Sequence, residues 1–216
     1  MASIAGIQVK SIKHFRGIEG FAEQGNLFMD GKRIGFWSQD ADGGEERYEF
    51  DKPEYKQPFF DRIKDYYRNN PPVDEMKLCA MHAKDIDMGN LPRANVDDKD
   101  YNYNVSPERF MYALMNLCDA EKEWKKAVKA GCSAICIVDY YTTFDPTPIS
   151  ELWNIGKGDI NATAKSILTD ARKKNPMAHI SLYSKPNDFV ISKDSPVKEK
   201  EGSTESKDEE NDKDLD

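Results

Sequence analysis

Apolar and polar residues alternate with a period of two over much of residues 1–50, which predicts strands with one buried face. Ile7 and Val9 alternate with polar neighbours until the pattern slips by one residue at Ser11. Such a slip predicts a β-bulge, because a bulge adds one residue to one strand of a pair.

Asp30-Gly31 separates two apolar runs, and this dipeptide predicts a two-residue hairpin turn. In that register Leu27 faces Ile34 across the hairpin. The predicted inner face carries four apolar side chains, namely Leu27, Met29, Ile34 and Phe36.

The apolar period changes to that of a helix between Phe59 and Arg68, where Phe59, Ile63 and Tyr66 form one stripe. This helix is predicted to cover the sheet. Residues 73–88 fit a helix and a strand, and we leave that choice open with a preference for helix.

The sequence pattern of the C-terminal half predicts more helix than that of the first half. Ser106 is the expected N-cap of a long helix with Pro107 at its first position, and Gly131 is the expected residue just after its end. A continuous apolar strand follows at residues 132–141. A short helical segment is predicted at residues 149–155, then a helix starting near residue 160 and a strand at residues 178–183. We expect this order to form a β-α-β unit with parallel strands.

The sequence therefore predicts an α+β fold. Residues 1–70 form an antiparallel β-sheet with a covering helix, and residues 71–191 form a helix-rich half packed on it as one body. Residues 192–216 hold five lysines and ten acidic residues but only two aliphatic ones, so we expect a disordered acidic tail.

The tail also accounts for most of the net charge of −8, because it contributes −5 and leaves −3 for residues 1–191. This near balance argues against nonspecific nucleic-acid binding. No apolar run approaches the roughly 18 residues that a membrane span needs, and no secretory signal pattern is present, so we expect a cytoplasmic protein.

Three acidic residues and one histidine are the candidates for catalysis. Asp139 ends the predicted buried strand, and His82, Asp85 and Asp87 form the densest polar cluster. Together they would suit a small metal-dependent hydrolase or nuclease. The set is incomplete, since no second His-containing segment completes it, and the four cysteines lack the paired spacing of a zinc site. We therefore predict no metal and no cofactor, and favour a protein that is not an enzyme.

Tyrosines among acidic residues suggest a protein-binding surface, because Tyr and Trp are enriched at interfaces. The candidate partner-binding residues are Asp97, Asp98, Asp100, Tyr101 and Tyr103, together with Trp37.

The segment IQVKSIKHFRGIEGFAEQGNLFMDGKRIGFWSQDADGG resembles the start of small uncharacterised proteins encoded by phages and mobile elements. The resemblance covers mainly residues 1–50. It implies an accessory protein that acts in the cytoplasm of a bacterial host, and such proteins often inhibit host systems.

Our first hypothesis is thus a phage-type accessory protein that binds a host protein, with inhibition of a bacterial defence system as its role. The alternatives are the small hydrolase described above and a virion or assembly component. The identity of the partner and the oligomeric state do not follow from the sequence.

Overall fold

The computed structural model describes residues 1–16, 20–41, 46–74, 77, 80–81, 91–98, 101–140, 149–176 and 178–194. In this part of the chain the fold is α+β, with a six-stranded sheet, a three-stranded sheet and three α-helices. The strands are β1 (Ser3–Ile4), β2 (Ile7–Arg16), β3 (Phe21–Met29), β4 (Lys32–Gln39), β5 (Arg47–Phe50), β6 (Ala134–Tyr140), β7 (Ile149–Ile155), β8 (His179–Tyr183) and β9 (Val190–Ile191). The helices are α1 (Lys56–Asn69), α2 (Pro107–Lys129) and α3 (Ile160–Lys174).

The larger sheet has the strand order β5-β4-β3-β2-β1-β9, and its pairs are antiparallel except for β1 with β9. The predicted hairpin is confirmed: Met29 pairs with Lys32, and the two turn residues Asp30 and Gly31 both have positive φ. The predicted bulge is confirmed as well, because the β2–β3 register shifts between Lys10 and Lys13.

A second bulge in the hairpin corrects the predicted register. Leu27 pairs with Gly35 and not with Ile34, because one extra residue lies in β4. Beyond that point the side chains exchange faces, as a one-residue slip requires. Ile34 and Trp37 therefore both reach the core at 1% exposure, while Phe36 is only half-buried.

Helix α1 covers this sheet, as predicted. It buries Phe59, Ile63, Tyr66 and Tyr67. The ring of Phe59 lies 5.6 Å from that of Phe50 on β5, which gives the edge strand an aromatic contact with the helix.

Helix α2 begins and ends where its sequence predicts. The Ser106 hydroxyl accepts a hydrogen bond from the Arg109 amide at 3.1 Å, and Pro107 occupies the first turn. After the last turn, Gly131 has a φ of 92°, the left-handed conformation that favours glycine.

The three-stranded sheet differs from the predicted β-α-β unit. Residues 149–155 are a strand and not a helix, and this strand β7 pairs antiparallel with β6 along its whole length. β8 pairs antiparallel with the other edge of β6. The parallel strands are therefore β7 and β8, which α3 connects across the intervening β6. The prediction failed because β7 lies between β6 and α3 in the chain. Helix α3 therefore follows β7, and not β6 as the expected unit requires.

The two faces of β6 contact different cores. Ala134, Cys136 and Val138 face α3, in clusters that include Ala164 and Ala171. Ile137 points the other way, into the main core formed by the large sheet, α1 and α2. Both halves of the chain therefore contribute to one main core.

Two sequence predictions fall largely beyond the described residues. Within residues 73–88 only Val73, Asp74, Lys77, Ala80 and Met81 are described, and Val73 forms an isolated antiparallel bridge with Arg93. Residues 195–216, most of the predicted tail, are also outside the described segments. In the part of the chain that is described, no helix has the length and apolarity to cross a membrane.

Candidate functional site

Hydrogen bonds from Asn102 fix the loop that precedes α2. Its carboxamide oxygen accepts from the Asn104 amide at 3.0 Å, and its Nδ2 donates to Asp74 Oδ2 at 3.2 Å. Asp74 is only 2% exposed, so it is a fixed anchor. The backbone on both sides of Asn102 is thereby held, and this positions Tyr101 and Tyr103.

The first turn of α2 places a cation between two tyrosines. The guanidinium carbon of Arg109 lies 5.5 Å from the ring centre of Tyr112 and 6.0 Å from that of Tyr103. Arg109 and Tyr112 are three residues apart and share one face of the helix. Both distances fall within the range of cation–π attraction, so Arg109 holds the two rings together.

The two rings beside Arg109 are exposed, and a third exposed tyrosine, Tyr101, lies two residues before Tyr103. Tyr101 is 73% exposed, Tyr103 45% and Tyr112 41%. Burial of part of the ring raises the pKa of Tyr103, with Arg109 acting in the opposite direction and both other tyrosines close enough to contribute. We call Tyr101, Tyr103, Arg109 and Tyr112 the tyrosine–arginine patch.

A groove of about 340 Å³ adjoins this patch, because Tyr101 belongs to both. α1 provides one wall and the loop before α2 provides the other. The lining residues are Phe60, Ile63, Lys64, Asn95, Val96, Asp98, Tyr101, Asn102, Val105, Ser106 and Pro107. The groove therefore combines apolar side chains with one cation, Lys64, and one anion, Asp98.

The structure brings together several of the predicted partner-binding residues. Asp98 and Tyr101 line the groove, and Tyr103 lies in the patch. Asp97 has a different role: Arg68 donates to its two carboxylate oxygens at 3.2 and 2.8 Å, and these bonds lower the pKa of Asp97. Asp97 thus ties the loop to α1. Asp100 lies outside the described residues.

The prediction that Trp37 contributes to a binding surface is wrong. Its side chain is 1% exposed and belongs to the main core, where its indole nitrogen makes no hydrogen bond. The extra residue in β4 is the reason, because it turns Trp37 from the outer to the inner face of the sheet.

The candidate catalytic residues are not brought into a common site within the described segments. Asp139 accepts a hydrogen bond from the Ser150 hydroxyl at 2.6 Å and lies opposite His179 in the sheet. His82, Asp85 and Asp87 are outside the described residues. Among the residues described, no group of three or more His, Cys, Asp or Glu side chains could hold a metal ion. The hydrolase alternative stays a prediction.

Sequence reasoning missed Arg109 and Tyr112. The available signal was the helix itself: once Phe110, Leu114 and Leu117 define the buried stripe, the residues beside it must face outward. Tyr103 contacts this outward face because of the conformation of the loop before α2, and no pattern in the sequence predicts that conformation.

Two acidic side chains, Glu46 and Glu108, interact beside the first turn of α2. Burial raises the pKa of Glu46 to about 7, and Glu108 and Glu23 raise it further by charge repulsion, while the hydrogen bond that the Tyr48 hydroxyl donates to Glu46 lowers it. One carboxylate oxygen of Glu108 is buried without a hydrogen-bond partner. A carboxyl group that titrates near neutral pH is a feature of many functional sites and also of structural clusters.

The candidate site thus consists of exposed aromatic rings, one arginine and an adjoining groove. Comparisons of the chain with models of protein families, with curated proteins and with solved structures found no match.

Proposed function

We propose that the protein acts by binding another protein through the tyrosine–arginine patch and the adjoining groove. The observation that carries this proposal is a cluster of three exposed tyrosines, two of which, Tyr103 and Tyr112, have rings within cation–π distance of Arg109. Tyr and Arg are over-represented among the residues that dominate binding energy at interfaces, because they combine large contact area with a polar end.

The groove adds a second element of recognition. Its volume of about 340 Å³ is at the lower end of the range for ligand pockets, and it suits one or two apolar side chains of a partner's surface loop. Lys64 and Asp98 on its walls can each pair with an opposite charge on that loop. The patch would then supply contact area around the inserted side chain.

We propose further that the partner is a bacterial host protein and that binding inhibits a defence system. Support for this step comes from the resemblance of the N-terminal segment to proteins encoded by phages and mobile elements. The overall charge of −8 supports a basic partner, because opposite charges increase the rate of encounter.

The experiment is affinity capture from a bacterial lysate with the full chain, followed by calorimetry with each purified candidate partner. We expect the double substitution Tyr103→Ala/Tyr112→Ala to weaken binding by about 100-fold or more, since each hot-spot side chain contributes at least about 1.4–2 kcal/mol. Phe15→Ala is the matched control, because Phe15 is 48% exposed and belongs to neither the patch nor the groove.

Thermal unfolding of all three proteins shows whether the substitutions leave the fold intact. The proposal is overturned if no protein binds the wild-type chain, or if the double variant binds as tightly as the Phe15→Ala control.

A further inference from the structure

Strand β7 is an edge with apolar side chains. It pairs with β6 on one side, and no described strand pairs with it on the other. Ile149 is 68% exposed, Leu152 45% and Trp153 44%. A strand of seven residues with large exposed apolar side chains and an unpaired backbone edge is a template for another strand.

The other sheet edges are better protected. β5 carries the exposed charges Arg47 and Glu49, and β9 is only two residues long. All five residues of β8 are half-buried. β7 by contrast contains no Lys, Arg or Pro, and its register with β6 runs from Ile149 to Ile155 without a bulge.

The sequence of β7 is complementary to itself in the antiparallel direction. It reads Ile-Ser-Glu-Leu-Trp-Asn-Ile, with Leu152 at its centre. Two copies paired about Leu152 would place Leu152 opposite Leu152, Ile149 opposite Ile155, Ser150 opposite Asn154, and Glu151 opposite Trp153. Apolar residues meet apolar ones at three of the seven positions, amide meets hydroxyl, and no like charges are directly opposed.

We propose that β7 pairs with β7 of a second copy of this chain, about a two-fold axis at Leu152, to form a six-stranded sheet across a symmetric dimer. A two-fold axis perpendicular to the sheet keeps equivalent faces on the same side. Ile137 is the neighbour of Leu152 on β6. In the dimer, Ile137 and Leu152 of one copy and Leu152 and Ile137 of the other therefore lie side by side across four strands, and both leucines are covered. This surface is separate from the tyrosine–arginine patch, so the proposal does not depend on the proposed function.

Disulfide crosslinking tests the register. Residues at position 152 face each other in the proposed dimer, so Leu152→Cys should crosslink rapidly under mild oxidation. Asn154→Cys is the matched control on the same face, because residue 154 would lie four positions, ~13 Å along the strand, from its copy. The wild-type chain measures any crosslinking through the native cysteines. Equal crosslinking of both variants, or none above wild type, overturns the proposed register.

Sedimentation of the full chain tests the dimer itself. We expect the wild type to be dimeric and Leu152→Lys to be monomeric, because the substitution opposes two ammonium groups at the two-fold axis. Val190→Lys, at 52% exposure on the edge strand β9 of the other sheet, should remain dimeric. Circular dichroism confirms that each variant is folded. A monomeric wild type, or a dimer that Leu152→Lys does not weaken, overturns the proposal.

Discussion

Arg62 on α1 donates hydrogen bonds from both terminal nitrogens to Asp30 at the tip of the β3–β4 hairpin. Its Nη1 lies 3.1 Å from Oδ1 and its Nη2 lies 3.0 Å from Oδ2. The same Nη1 also donates to the carbonyl oxygen of Ala5 at 2.9 Å. The guanidinium thus joins three segments that are distant in sequence, and it lowers the pKa of Asp30.

We predict that Arg62→Lys destabilises the fold by about 1 kcal/mol, because an ammonium group cannot reproduce the two-nitrogen contact. Arg33→Lys is the control, since one nitrogen of Arg33 pairs with Asp51 at 2.9 Å on the surface, and the substitution should change stability by less than about 0.5 kcal/mol. Urea denaturation measures both. Equal effects of the two substitutions would show that the two-nitrogen contact of Arg62 stabilises the fold no more than an ordinary surface ion pair does.

Local signals in the sequence were sufficient for most of the first sheet and for α2. The Asp30-Gly31 turn, the slip at Ser11 and the Ser106 cap each determine backbone geometry within a few residues, and all three are confirmed. The bulge in β4 had no such signal, because Ile34 and Gly35 fit either register. One inserted residue then reversed the predicted faces of Phe36 and Trp37.

The second sheet shows a different limit. Short segments that mix apolar and polar residues fit a strand or a short helix equally well, and only tertiary pairing with β6 decides that residues 149–155 extend as β7. The candidate site combines both cases. Tyr101, Tyr103 and Asp98 were recognisable by composition, whereas the contact of Tyr103 with Arg109 follows from loop geometry.

Gly35 is predicted to tolerate no side chain. A Cβ at this position would overlap the carbonyl oxygen of Glu49 on β5 and lie 2.9 Å from the Phe50 Cα. Both are backbone atoms of the neighbouring strand, so the β4–β5 pair must separate. We expect Gly35→Ala to cost about 2–4 kcal/mol, at the upper end of single substitutions.

Gly31→Ala is the comparison for Gly35→Ala. Gly31 has a φ of 79° and no atom within 4 Å of a Cβ, so only backbone strain of about 1 kcal/mol is expected. Thermal unfolding of both variants gives the order. If Gly31→Ala is the more harmful of the two, close packing of β4 on β5 is not the constraint.

Glu121 is predicted to stabilise the fold only in its ionised form. The side chain is buried and accepts hydrogen bonds from the Ala2 amide at 2.8 Å and from Lys125 at 2.7 Å. Burial alone would raise its pKa, but these donors together lower the pKa of Glu121 below its ordinary value of 4.5. Its stabilisation is therefore full above that ordinary value and is lost as the pH falls through the lowered one.

We expect Glu121→Gln to cost about 2 kcal/mol at neutral pH, and the difference from wild type to shrink in acid once the wild-type carboxyl is protonated. Glu123→Gln is the control on the same helix, since Glu123 is more exposed and forms a surface pair with Lys126. Chemical denaturation at neutral and acidic pH measures the difference. A constant difference at all pH values would contradict the assignment.

Glu46 is predicted to have the opposite pH dependence. Its pKa is raised to about 7, first by burial and then by repulsion from Glu108 and Glu23, and these effects together exceed the lowering of the pKa by the hydrogen bond from Tyr48. Between 4.5 and about 7 the folded protein holds a proton on Glu46 that the unfolded chain has released. The contribution of Glu46 to stability therefore falls as the pH rises through this interval and is constant above it.

Glu46→Gln removes this effect, because glutamine stays neutral and its carboxamide oxygen can still accept from the Tyr48 hydroxyl, which donates to Glu46 in the native structure. We expect the variant to match wild type near pH 5 and to exceed its unfolding free energy by roughly 1–3 kcal/mol near pH 8, with partial exposure of the site reducing the value. Glu49→Gln, at an exposed position on the strand β5 that follows Glu46, should show no such pH-dependent difference. Denaturation curves at several pH values test this, and a variant that is less stable than wild type at pH 8 would show that ionised Glu46 is well accommodated in the fold.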